Sequence, residues 1–169
     1  MSTPFVTEAD AVEIFTQLES YVIRLEEDPT VMGPSYIHEK LRQCRDFSNS
    51  VEALLITYYD KERRIRNLLG TAKAEYDAKK AELLAIDPDV DKKKSAEGRM
   101  ALVDYKLKAT LETIADLKEQ LTTCQFVLKA VELRKDGLNR ANNDVKKQVS
   151  LMEFARGKSG TVSYTLLTL

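Results

Sequence analysis

Tryptophan is absent, histidine occurs once, at His38, and only two cysteines appear among the 169 residues. One imidazole and two thiols are too few for most metal sites, and they leave histidine-dependent catalysis without its parts. No glycine-rich phosphate loop and no nucleophile elbow is present. The run Asp87-Pro88-Asp89-Val90-Asp91 lacks the glycine at position six and the glutamate at position twelve that a calcium loop requires. His38 sits near an expected helix start, where a surface or packing role suffices. The expectation is a chain without enzymatic activity, metal or cofactor, whose work is binding.

Glycine and proline are scarce, at six and four, and Pro4, Pro29 and Pro34 all precede residue 35. A turn-rich β protein, punctuated every 8–12 residues or so, is excluded. No apolar run approaches the roughly 20 residues that span a bilayer. Met1-Ser2-Thr3-Pro4 lacks the basic start and apolar centre of a signal peptide. A soluble cytoplasmic chain with no membrane partner is expected.

Charge is plentiful, with 26 basic and 27 acidic residues, but unevenly spread. Residues 1–34 carry seven acids against Arg24 alone, whereas residues 129–169 carry eight bases against four acids. An acidic head and a basic tail can attract each other between subunits, or the tail can meet a polyanion while the head repels it.

Two breaks organise the chain. Asp28-Pro29-Thr30-Val31-Met32-Gly33-Pro34 forbids continuous helix, and Asp87–Asp91 is a polar turn with a further proline. Before the first break, Ala11, Phe15, Leu18, Val22 and Leu25 alternate steps of four and three, predicting an amphipathic helix capped by Thr7. A second helix is predicted from Ser35 to about Ile86. Its stripe is Ile37, Leu41, Cys44, Ser48, Val51, Leu55, Tyr58, Glu62, Ile65, Leu69, Ala72, Tyr76, Lys79, Leu83, Ile86, apolar at twelve of fifteen positions. A third, from about Ser95 to Phe154, shows thirteen apolar positions of sixteen between Met100 and Met152. Both keep a 3.5-residue repeat, the mark of a coiled-coil seam, and in phase across Gly70 and Gly137.

The fold expected is therefore all-α: an acidic N-terminal helix and linker over 1–34, and a long antiparallel helical hairpin, coiled-coil-like, over 35–158. The tail 159–169 alternates polar and apolar residues, so it is either a frayed end or a strand-like tether. A helix of about 50 residues rises roughly 75 Å. Two such rods cannot cover their own seams fully, so a homo-oligomer is expected. With the turn near residue 90, Cys124 falls opposite about residue 56 and Cys44 opposite about 136. That spacing forbids a disulfide between them and predicts two buried thiols.

Basic clusters remain as candidate binding residues. Arg63, Arg64 and Arg66 follow Lys61 within a turn and a half of helix. Lys79 and Lys80 lie further along, and Lys92-Lys93-Lys94 sits at the turn. The last helix carries Arg134, Lys135, Arg140, Lys146, Lys147, Arg156 and Lys158, with Asn139, Asn142, Asn143 and Gln148 among them. Such charges flank any coiled-coil seam as solvated pairs. Converging on one groove they bind phosphates, and Tyr58, Tyr59 and Tyr105 are candidate stacking platforms for single strands.

The order of elements resembles the UvsY family of recombination mediators from T-even-like phages. Leu151-Met152-Glu153-Phe154-Ala155-Arg156-Gly157-Lys158 is similar to that family's closing helix. Lys94-Ser95-Ala96-Glu97 with Asp104 beyond, and Cys124-Gln125-Phe126 before Leu138-Asn139-Arg140, are similar to its earlier segments. The family's basic strand-binding segment aligns best with Lys79-Lys80-Ala81-Glu82-Leu83, where Glu82 stands in place of the family's arginine. The resemblance spans about residues 19–158. It implies an accessory factor of phage homologous recombination and repair, acting in the bacterial host cytoplasm. Such a factor binds single-stranded DNA as a homo-oligomer, loosens the single-strand-binding protein and helps load a RecA-like recombinase. The periodicity alone serves equally well a coiled-coil scaffold, adaptor or chaperone with no nucleic-acid role.

Overall fold

The computed structural model describes residues 4–26 and 33–165, with side chains through Phe154. Among these residues the chain is all-α, without strands. The helices are α1 (Glu8–Ser20), α2 (Pro34–Ile86), α3 (Pro88–Asp91), α4 (Ala96–Lys106) and α5 (Lys108–Thr165). They divide between two compact units, one formed by Met1–Glu13 with Thr57–Leu128, the other by Ile14–Ile56 with Lys129–Leu169.

In the first unit the chain folds back on itself. The 57–86 part of α2 runs antiparallel to α4 and the start of α5. The Tyr76 hydroxyl donates to Asp104 Oδ1 at 2.6 Å, Gln125 Nε2 to Glu62 Oε1 at 3.0 Å, and Cys124 Sγ to the Tyr58 carbonyl at 3.4 Å. The last contact lies within two residues of the register that a turn near residue 90 predicts. Tyr58, Ile65 and Leu69 on α2, and Val103, Leu107, Ile114, Leu117, Cys124 and Leu128 opposite, are buried as the stripes require. Fully burying each such aliphatic side chain stabilises by about 1.5–3 kcal/mol.

The turn is more structured than a polar loop. Asp87 caps α3, its Oδ1 accepting from the Asp89 and Val90 amides at 2.9 and 3.3 Å, while Lys106 Nζ donates to Oδ2 at 2.5 Å. Ser95 Oγ accepts from the Gly98 amide at 3.0 Å and starts α4, where the sequence places the third helix. Val90, Val103 and Leu107 form a small core here, with Tyr76, Leu83 and Leu102 packed against it. The third helix is not continuous as expected, because Leu107 interrupts it at φ −100°, ψ 16° while its side chain joins that core. The α2 stripe also fails near the turn. Lys79 and Ile86 are exposed, because Tyr76 and Leu83 alone reach the small core.

The N-terminal segment completes this unit. Thr7 Oγ1 accepts from the Asp10 amide at 3.1 Å, and Asp10 Oδ2 accepts from the Thr7 amide at 2.8 Å. This reciprocal cap starts α1 where Thr7 predicts it. The Phe5 amide donates to Gln120 Oε1 at 2.9 Å. Gln120 and Val127, a heptad apart and off the seam, are buried. No periodicity of α5 announces that second stripe.

In the second unit Leu18, Cys44, Val51, Leu55, Val131, Leu138 and Val145 are buried. Lys135 Nζ meets Glu52 Oε1 at 3.1 Å, again placing α5 antiparallel to α2. α1 stops at Ser20, short of the expected Leu25. Ser20 Oγ turns back to donate to the Gln17 carbonyl at 2.6 Å, and the Tyr21 ring packs on Phe47 with centroids 5.3 Å apart. α2 begins at Pro34, whose missing N–H costs nothing in the first turn. α5 continues through Thr165, so 159–165 is helical backbone where the alternation suggested a strand. Residues 166–169 lie outside the described residues.

Cys44 and Cys124 are free and buried. Burial raises the Cys44 thiol pKa and pushes that of Cys124 up to about 11. Both should resist a thiol-specific disulfide reagent in the native protein and react fully once it is unfolded. Fast labelling of either under native conditions would contradict the buried seam. At Gly70 an added Cβ meets nothing within 4 Å, so Gly70→Ala should raise stability by about 0.5–1 kcal/mol, read as a higher thermal midpoint.

Candidate nucleic-acid interface

Arginine and lysine side chains off the seam stand in water and seek carboxylates one turn away. On α2, Arg63 Nη2 and Arg64 Nε bind the two oxygens of Asp60 at 2.6 and 2.7 Å. Arg66 reaches Glu62 Oε1 through Nη2 at 2.8 Å and Nε at 3.1 Å. The three arginine side chains remain 73%, 62% and 56% exposed. Exposed pairs of this kind contribute about 0.2–1 kcal/mol each, so a phosphate can take the place of the carboxylate at little cost. Lys79 pairs with Glu75 at 2.6 Å, and Lys80 lies over the Tyr76 ring at 5.7 Å.

On α5, Lys147 meets Asp144 at 3.4 Å, whereas exposed Arg140 and Lys146 have no ion-pair partner among the described residues. Arg140 and Arg134 line a groove of about 400 Å³ with Phe15, Leu18, Ala130, Leu133 and Gly137. Among the described residues Arg134 Nε is buried there without a hydrogen-bond partner, as is Gln148 Oε1 further along α5. A buried guanidinium N–H without an acceptor carries a desolvation cost that an incoming anion relieves. Lys135 is held by Glu52. The side chains of Arg156 and Lys158 lie outside the described residues.

Arg63, Arg64, Arg66, Lys79 and Lys80 therefore share the first unit, and Arg134, Lys135, Arg140, Lys146 and Lys147 the second. Among the described residues no helix is long and apolar enough to cross a membrane. No family model, no curated protein and no solved structure matches the chain.

The aromatic candidates separate. Tyr58 is buried in the seam with Lys61 Nζ 4.7 Å from its ring centroid, so its faces are not offered to a ligand. Tyr59 and Tyr105 are exposed, and so is Phe126. Phe126 did not stand out among the candidates for stacking. Its only signal is its place between seam residues Cys124 and Leu128, which turns it outward.

Four carboxyls are held below their ordinary values by this surface and by the caps. Asp60 is lowered chiefly by Arg63, and Glu62 by the Gln125 amide and then Arg66. Asp87 is lowered chiefly by Lys106, and Asp10 by the Thr7 amide and hydroxyl. A carboxyl that titrates lower when folded adds stability in full at neutral pH, and the gain is lost as pH falls through the folded value. Stability should thus decline on acidification below the ordinary carboxylate range. Asp87→Asn should flatten that decline, as followed by thermal midpoints across an acid pH series.

Proposed function

We propose that this chain is a non-enzymatic accessory protein that binds single-stranded DNA and helps load a RecA-like recombinase in phage homologous recombination and repair. The observation that carries the binding is the set of arginines on α2, strongly exposed and tied only to carboxylates of the same helix. Exposed Arg140 and Lys146, and the unsatisfied Arg134 Nε, add to it on α5. The resemblance to UvsY mediators supports the recombinase and the single-strand-binding protein as partners.

A homo-oligomer fits this activity. Several copies multiply modest phosphate contacts by avidity, and the acidic α1 is a surface that DNA avoids and a basic protein partner meets. A second reading, a coiled-coil scaffold, adaptor or chaperone without nucleic acid, is favoured by Ile86 and Tyr105, 72% and 76% exposed near the turn. Apolar side chains so placed suit protein contacts.

Fluorescence anisotropy with labelled oligothymidylate separates the two readings. Binding is expected at about 50 mM salt and should weaken roughly 50-fold by about 200 mM if four phosphates are neutralised. Reversing Arg140, Lys146 and Lys147 to glutamate should weaken it a further tenfold or so at low salt. No binding at low salt would leave the scaffold reading alone. Light scattering should show more than one copy per particle.

A further inference from the structure

We propose that the groove lined by Arg134 and Arg140 in the second unit receives α1 of a second copy of this chain, the acidic outer face of that helix meeting the two arginines. The proposal rests on the reading of the chain as a homo-oligomer and says which surfaces join. The groove, of about 400 Å³, has Phe15, Leu18 and Leu133 among its apolar walls, and its two charged members are both arginines. Among the described residues no carboxylate lines it.

Both sides of this pairing are left unmet within one copy. Arg140 is exposed with no ion-pair partner among the described residues, and Arg134 Nε is buried without an acceptor among them. On α1, Glu8, Glu13 and Glu19 are exposed, and they too have no ion-pair partner among the described residues. Other exposed charges of this chain are paired within one turn, as Arg63 is with Asp60 and Lys79 with Glu75. Glu8, Val12 and Glu19 follow at steps of four and seven, which is one face of a helix, and Val12 is 62% exposed.

Charge selects the occupant. Residues 1–34 carry seven acids against one base, and residues 129–169 carry eight bases against four acids. The surplus at one end of the chain matches the opposite surplus at the other, so a second copy is the complementary partner. Leu133, on the groove wall, is 57% exposed, so the occupant has to bring apolar contact together with carboxylates. A sugar–phosphate backbone brings only the charge. The outer face of α1 brings both.

The test follows particle mass by light scattering over a dilution series of the full chain. Nucleic acid is left out, because Arg140 also belongs to the strand site proposed above. The wild type is expected to hold more than one copy at about 50 mM salt and to dissociate about tenfold more readily at about 500 mM. Arg140→Glu, and separately the double variant Glu8→Lys/Glu19→Lys, should each raise the dissociation constant about tenfold. Mixing those two proteins should restore association, since each then faces opposite charge on the other. Gly137→Leu, at a groove position where an added Cβ meets nothing within 4 Å, should weaken association while the helical circular dichroism stays that of wild type. A multi-copy wild type whose mass none of these variants changes overturns the docking and leaves the homo-oligomer standing. A monomeric wild type at low salt overturns both. Weakening by each charge variant with no recovery on mixing overturns the pairing as well.

Discussion

In water a helix of 53 or 58 residues has nowhere to hide a continuous apolar stripe except against another helix. The spacing of that stripe, 3.5 residues, is slightly shorter than the turn of a straight helix, so it keeps facing one partner along its length. Val51, Ile65, Val103, Cys124, Val131 and Val145 are almost wholly withdrawn from water in consequence. Once the seam is closed, each remaining position is assigned a direction. Many residues off the seam point outward, among them Arg63, Arg64 and Arg66, while Gln120 and Val127 are buried off it.

The ends of the seam are governed by polar chemistry. At the turn Asp87 serves two helices at once, accepting backbone amides of α3 and the Lys106 ammonium of α4. That double use closes the polar rim of a core built from only Val90, Val103 and Leu107. At the N-terminus the Thr7–Asp10 cap and the Phe5–Gln120 hydrogen bond dock a segment that carries no seam of its own. Burial there is a consequence of the docking, which is why Gln120 is tolerated at a buried position: its side chain is hydrogen-bonded to the Phe5 amide and to Asp116.

The proposed binding falls to the surface. Pairs such as Arg63–Asp60 and Lys147–Asp144 are exposed and within one helical turn, so they hold the side chains in place without committing them. A competing phosphate would exchange one such weak pair for another. In the function proposed above, such weak pairs would let the chain grip a strand and release it.

Helix positions, the Thr7 and Ser95 caps and the turn near residue 90 could be read from residue order, because each depends on a few neighbouring side chains and on a period of 3.5. The same holds for the register that sets Cys124 near residue 56 and for the burial of both thiols. The interruption at Leu107, the end of α1 at Ser20 and the second buried stripe through Gln120 and Val127 could not, since each answers to a group distant in sequence. Basic residues and the carboxylates one turn away could be enumerated beforehand, yet which side chains stay exposed, and that Lys135 meets Glu52 and Lys106 meets Asp87, depends on the folded partner. Local propensity, periodicity and the one-turn ion pairs are properties of one segment, whereas burial and exposure belong to two segments brought side by side.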